Sequence, residues 1–172
     1  MKKRERGFTL LEVLLVAALG PVIIGMLLFM FQVALGTWSA QGSRISLAVS
    51  ANRAVREMAR DLREACAIGN LSSDEIRYTA DNATYFIYYL YNLSDPYPPH
   101  FNSTSYQLRK AALTGGMAGT FAYGGGDLIA RDILPPPATN LSFSPPAVTI
   151  DLTIQQGNNI TRSVGMVKPR NI

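Results

Sequence analysis

FTLLEVLLVAALGPVIIGMLLFMF, residues 8–31, carries one charge, Glu12, and from Val13 to Phe31 no polar side chain at all. No further charge follows until Arg44. As a helix the uncharged apolar part is about 28 Å long, close to the thickness of a bilayer core. A helix buried in a soluble domain keeps a polar face, and this one has none. The stretch therefore reads as a membrane span. Trp38 follows, where an indole suits the membrane interface. Glu12 stands at the membrane end of that span, where an unpaired carboxylate is costly.

The chain has 172 residues and a formal charge of +4, with 48% hydrophobic and 16% charged residues. The positive excess belongs to the tip. Lys2, Lys3, Arg4 and Arg6 stand against Glu5, and the rest of the chain holds 12 basic and 11 acidic side chains. That pattern is an orientation signal with the N-terminus in the cytoplasm, not a nucleic-acid surface. The start has the layout of a secretory signal, but no A-x-A cleavage site follows the apolar run. The span is expected to be retained as a single-pass anchor. Cys66 is the single cysteine and His100 the single histidine, so no internal disulfide or Cys/His metal cluster is expected.

Beyond the span, Ala48, Val55, Met58, Ala59, Leu62 and Cys66 recur at steps of three and four. Arg53, Arg56, Glu57, Arg60, Asp61, Arg63 and Glu64 fill the opposite face. The pattern predicts that the helix continues, amphipathic, to about residue 68, with Gly69-Asn70 as its stop and Cys66 packing at the end of its stripe. Strand patterns follow at 75–79, 84–91, 106–113, 127–134, 147–155 and 160–167. Asp81-Asn82 and Gly157-Asn158 read as hairpin turns, and TGGMAGTFAYGGG, residues 114–126, as an irregular loop. The expected architecture is α+β: a long N-terminal helix over about 8–68, its first half transmembrane, packed on a small antiparallel sheet.

MKKRERGFTLLEVLLV, residues 1–16, resembles the N-terminus of the type IV prepilins: a basic leader, Gly7, Phe8, an apolar run, and glutamate five places into the mature chain. The resemblance implies cleavage after Gly7 by a prepilin peptidase and N-methylation of the new Phe8 amine. It divides the chain into a leader (1–7), a filament-core helix (8–38), an amphipathic half-helix (39–68) and an exported β-rich domain (69–172). Glu12 would face the Phe8 amine of a neighbouring subunit. At ~4 Å and an effective dielectric near 20 that attraction is on the order of 4 kcal/mol before desolvation. Its main value would be register, because an unpaired Glu12 in an apolar bundle is penalised. Gly20-Pro21 is a tolerated transmembrane kink or a place where the helix loosens on packing. MARDLREA and VKPRN are similar to segments of minor J-type and W-type subunits. The partners implied are the peptidase, other pilin or pseudopilin subunits, an inner-membrane assembly platform and lipid.

Six of the nine asparagines open an N-x-[ST] sequon: Asn70, Asn82, Asn92, Asn102, Asn140 and Asn159. They are candidates for N-glycosylation on an exported surface, or belong to a polar domain that carries no glycan. The tyrosines of residues 85–91 are expected to pack, whereas Tyr97–Phe101 is either packed or an exposed binding loop. No catalytic set, cofactor or metal site is read. His100 lacks partners in the pattern, and Asp81, Asp95 and Asp127 have no EF-hand spacing. Arg109, Lys110, Lys168 and Arg170 are too few for a DNA-binding surface. The expected role is a structural subunit of a type IV pilus-like filament, as a minor pilin or a pseudopilin of type II secretion. A major pilin, and a tethered binding domain that never polymerises, are the alternatives.

Overall fold

The computed structural model describes residues 9–69, 72 and 74–170. The leader, Gly7, Phe8 and Asn70 lie outside the described residues. The described architecture is α+β: helix α1, Leu10–Glu64, followed by an antiparallel curled sheet. The chain divides into two compact units at Gly42/Ser43.

In the first unit, α1 runs unbroken through Pro21. Leu10–Trp38 is apolar enough to cross a membrane and none of it is buried by the chain itself. Pro21 has no N–H for the Ala17 carbonyl, yet its fixed φ is helical, so the helix continues. Thr37 turns its hydroxyl back onto the Val33 carbonyl at 2.9 Å, which satisfies it without water.

The second unit contains the last turns of α1 and the sheet. The strands are β1 (Ala67–Gly69), β2 (Glu75–Thr79), β3 (Tyr85–Tyr91), β4 (Tyr106–Leu113), β5 (Asp127–Ile133), β6 (Asn140–Ser144), β7 (Ala147–Gln156) and β8 (Asn159–Val167). Their order is β1-β2-β3-β4-β5-β7-β6, with β8 also paired to β7. Both expected hairpins are present, β2–β3 and β7–β8. In the first, Asp81 Oδ1 accepts the N–H groups of Ala83 and Thr84 and so ties the turn. β5 meets β7 through the pair Ile133 with Ile154 and through the Leu134 N–H donating to the Thr153 carbonyl at 2.8 Å.

Two of these strands had no strand pattern in the sequence reading, and they correct it. The helix ends at Glu64, not near 68, and Ala67–Gly69 forms β1 instead of a last helical turn. The chain leaves the helix because a sheet partner is on offer: the Cys66 N–H donates to the Thr79 carbonyl at 2.8 Å. The helix end is closed from elsewhere, by the Arg170 N–H donating to the Arg63 carbonyl at 3.1 Å. Cys66 therefore lies beyond the helical stripe. The other addition is β6, NLSFS, whose pairing with β7 runs from Asn140–Asp151 to Ser144–Ala147.

Leu47, Ala51, Ala54, Val55, Met58, Leu62 and Ala65 form the buried face of this part of the chain. They meet Ile76, Tyr78, Tyr88, Leu90, Leu108, Ile133, Ile150 and Leu152 from the sheet in one cluster. The fully buried alanines let backbones approach closely. Gly165 on β8 does the same, since a Cβ there would stand 2.6 Å from Val55 Cγ1. At roughly 25 cal/mol per Å² of apolar surface removed from water, this interface is the main source of stability for the unit.

The other face of the sheet is also covered. Ile87, Tyr89, Ala111 and Leu113 form a second cluster with Tyr85, Tyr91, Phe121 and Tyr123. Its cover is the glycine-rich segment 114–126. Gly126 must be glycine: its φ is +76° and a Cβ would sit 2.1 Å from the Lys110 carbonyl oxygen.

Candidate functional site

The helix start is built by two side chains. The Glu12 Oε2 atom accepts the Thr9 N–H at 3.2 Å and the Thr9 hydroxyl at 3.4 Å. The Glu12 N–H lies 3.4 Å from Thr9 Oγ1 and 3.0 Å from the Thr9 carbonyl oxygen. This reciprocal arrangement is a capping box, T-L-L-E, which satisfies N–H groups that a helix start leaves orphaned. Its sequence signal, a threonine three places before a glutamate ahead of an apolar run, was present and was not used in the sequence reading. Glu12 thus has a partner within its own chain. Only Oε2 is used: among the described residues Oε1 accepts no hydrogen bond. The positive end of the helix dipole adds to the preference for a carboxylate here.

Behind this cap lies the open span. Leu10, Leu11, Val13, Leu14 and Val16 are all more than half exposed. An added Cβ at Gly20, Gly25 or Gly36 would meet nothing within 4 Å. The chain's own packing does not require glycine at these positions. Gly20 and Pro21 lie inside a continuous helix, so no loosening is seen at that point.

Of the sequons, Asn82, Asn102 and Asn140 have exposed side chains. Asn82 sits in the β2–β3 turn at φ +57° and its Oδ1 is 3.4 Å from Cys66 Sγ. Asn92 is half-buried, and its amide is held at both ends. Nδ2 donates to the Ser105 carbonyl at 2.7 Å and Oδ1 accepts the Ser94 N–H at 2.7 Å. Asn159 is half-buried with Arg44 Nε donating to its Oδ1 at 2.9 Å. The structure does not bring the sequons to one place.

The Tyr97–Phe101 segment is tied to the fold by hydrogen bonds, while Tyr97, Pro98 and His100 stay exposed. Asp95 accepts the His100 N–H at 3.0 Å, the Phe101 N–H at 2.8 Å and the Tyr106 hydroxyl at 2.6 Å. The Tyr106 hydroxyl, with those backbone donors, outweighs burial and holds the Asp95 carboxyl below its ordinary range. Tyr97 donates its hydroxyl to Glu75 Oε2 at 2.7 Å. His100 itself is largely exposed, 3.8 Å from the Asp95 carboxylate, which orients no nucleophile through it.

Two buried polar clusters were not legible beforehand. Glu75 and Arg77 alternate with Ile76 and Tyr78 along β2. All five of its residues are buried. Arg77 Nε is 2.9 Å from Glu75, and its Nη1 donates to the carbonyls of Met117 and Gly119 at 3.0 Å each. The guanidinium therefore pins the 114–126 segment onto the sheet. On the opposite face, Asp61 Oδ2 accepts the hydroxyls of Tyr78 and Tyr88, each at 2.9 Å.

What this arrangement can do chemically is limited. Among the described residues no group of three His, Cys, Asp or Glu is placed to hold a metal. A cleft of about 580 Å³ lies between residues 46–57 of α1 and β5, and its lining contains no His or Cys. Arg53, Glu57, Arg131 and Asp132 give it both signs of charge, and Ser46 and Ser50 add hydroxyls. Two of the four basic side chains weighed for DNA contact are spent internally. Arg109 donates to the Gly124 carbonyl and stacks 5.0 Å over Tyr91, and Lys110 pairs with Asp61. The surface with unmet physical demand is the apolar span with Glu12 at its head. Comparison with family models, with curated proteins and with solved structures finds no match to this chain.

Proposed function

We propose that the chain is a structural subunit of a type IV pilus-like filament, as a minor pilin or a pseudopilin of type II secretion. In this reading a prepilin peptidase cleaves after Gly7, the Phe8 amine is methylated, and the subunit waits in the inner membrane as a single-pass protein with its N-terminus cytoplasmic. It then leaves the lipid for a bundle of identical or related subunits. An assembly platform in the same membrane drives that transfer.

The observation that carries this is Glu12, whose Oε2 is capped and whose Oε1 accepts nothing among the described residues, near the start of the 29-residue span Leu10–Trp38 that the chain leaves uncovered. An anchor alone gains little from such a residue. A capping side chain contributes about 1 kcal/mol, and Thr9 can supply a cap without it. A charge within hydrocarbon costs on the order of 3 kcal/mol. A cation from a neighbouring subunit's N-terminus would use the second oxygen and offset that cost.

The capping box also favours a second reading, a tethered binding domain that never polymerises, because it gives Glu12 a use inside one chain. Glu12→Gln, read beside the wild-type chain, separates the two. Glutamine still completes a capping box but carries no charge. The test is to quantify the variant in sheared surface filaments and in membranes of the native cells, reading its N-terminus by mass spectrometry. The expected result is a chain that begins at methylated Phe8, stays in the membrane and is depleted from filaments. Incorporation at the wild-type level would remove the charge pairing of Glu12, absence of the wild-type chain itself from filaments would favour the tethered domain, and an intact Met1 or Lys2 start would remove the leader reading itself.

A further inference from the structure

The sequons exceed what composition predicts. Serine and threonine make up 23 of 172 residues, so about one of nine asparagines would open a sequon by chance, and six do. A glycan is attached through Asn Nδ2, so a folded acceptor must present that atom. Asn82, Asn102 and Asn140 present it: they are exposed, and among the described residues none of their Nδ2 groups donates a hydrogen bond. Asn92 does not. Its Nδ2 closes the turn after β3 on the Ser105 carbonyl, and its Oδ1 is held by Ser94. Swinging that amide outward would forfeit both bonds, each worth on the order of 1 kcal/mol, and leave a half-buried carbonyl unmet.

We propose that this domain is an N-glycoprotein whose folded surface selects its sequons, with Asn82, Asn102 and Asn140 modified in preference to Asn92. The inference rests on the reading above only in needing the domain outside the cytoplasm. The donor class is a saccharide linked through diphosphate to a polyisoprenoid lipid. Nδ2 attacks the sugar C1, the C1–O bond breaks, the lipid diphosphate leaves with the electron pair, and the amide loses one proton to the transferase. No redox step is involved. Asn140 and Ser142, two places apart on β6, lie on one side of that strand, so the sequon is presented in extended form.

The test is site-by-site glycopeptide mass spectrometry on the full chain from native cells, beside protease shaving of those cells. Occupancy at each of Asn82, Asn102 and Asn140 is expected to exceed that at Asn92. Asn140→Gln should remove one glycan mass and Asn92→Gln none. Occupancy at Asn92 equal to or above that at any of the three overturns the proposal, and four bare sites fall under that outcome. Shaving keeps the two failures apart. A shaved but unequally or wholly unmodified domain is judged by the occupancy order alone, whereas a domain protected from protease refutes export and this inference with it.

Discussion

Lys110 Nζ on β4 stands 2.6 Å from Asp61 Oδ2 on the last turns of α1. The ammonium also lies 5.0 Å from the Phe86 ring centre and 5.8 Å from those of Tyr78 and Tyr88. One carboxylate oxygen thus takes two phenols and a cation, all from the sheet. These bonds are directional where the surrounding alanine and leucine contacts are not. They set which turn of the helix rests on which strand.

Asp61→Asn tests that registration. The amide keeps the size of the carboxylate but leaves the Lys110 ammonium without its counter-charge among three rings. The expected loss is about 1.5–3 kcal/mol, the range for a hydrogen bond to a charged group. Denaturant unfolding of the full chain in detergent, followed by tyrosine near-UV dichroism, reads it. An unchanged midpoint would mean that apolar packing alone positions the helix.

The same cluster predicts an acid limb. Burial alone would raise the Asp61 carboxyl, but the bonds from Lys110, Tyr88 and Tyr78 outweigh it and hold it below its ordinary value. A depressed carboxyl stabilises the fold fully above its unfolded value, near 4, and that stability is lost as pH falls through the folded value. Asp74 works in the opposite sense, since burial raises it. Its contribution is present in acid and fades as pH rises. The net expectation is a wild-type stability that drops below about pH 4, with a shallower drop in Asp61→Asn. Parallel pH profiles of the two chains would show no such difference if Asp61 were merely solvated.

Arg77→Met removes the pin on the 114–126 segment and leaves the Glu75 carboxylate buried without its cation. Breaking a buried pair in this way costs roughly 3–5 kcal/mol. Limited proteolysis should then cut within 114–126 before any other part of the sheet domain. Adding Glu75→Gln should recover part of the stability without restoring protection of the segment. Equal protease resistance in wild type and Arg77→Met would show that the aromatic contacts of Phe121 and Tyr123 hold the segment unaided.

The sequence by itself determined the span, the amphipathic continuation of the helix, six strand positions and two hairpins. Each is a local matter: an unbroken apolar run, a period of 3.6 or of 2, and glycine or asparagine at turns. It also held the capping box, which is a spacing of three. What tertiary structure decided was the fate of polar residues whose partners lie far along the chain. Glu75 and Arg77, charged residues of an expected strand, become a buried pair only because segment 114–126, some forty residues on, covers them. Asp61 read as solvated helix surface until Lys110 reached it across 49 positions. The helix end moved to Glu64 because Thr79 and Arg170 offered its backbone better partners than another turn would. Periodicity says which side of an element is apolar; only the assembled neighbours decide whether the other side ever meets water.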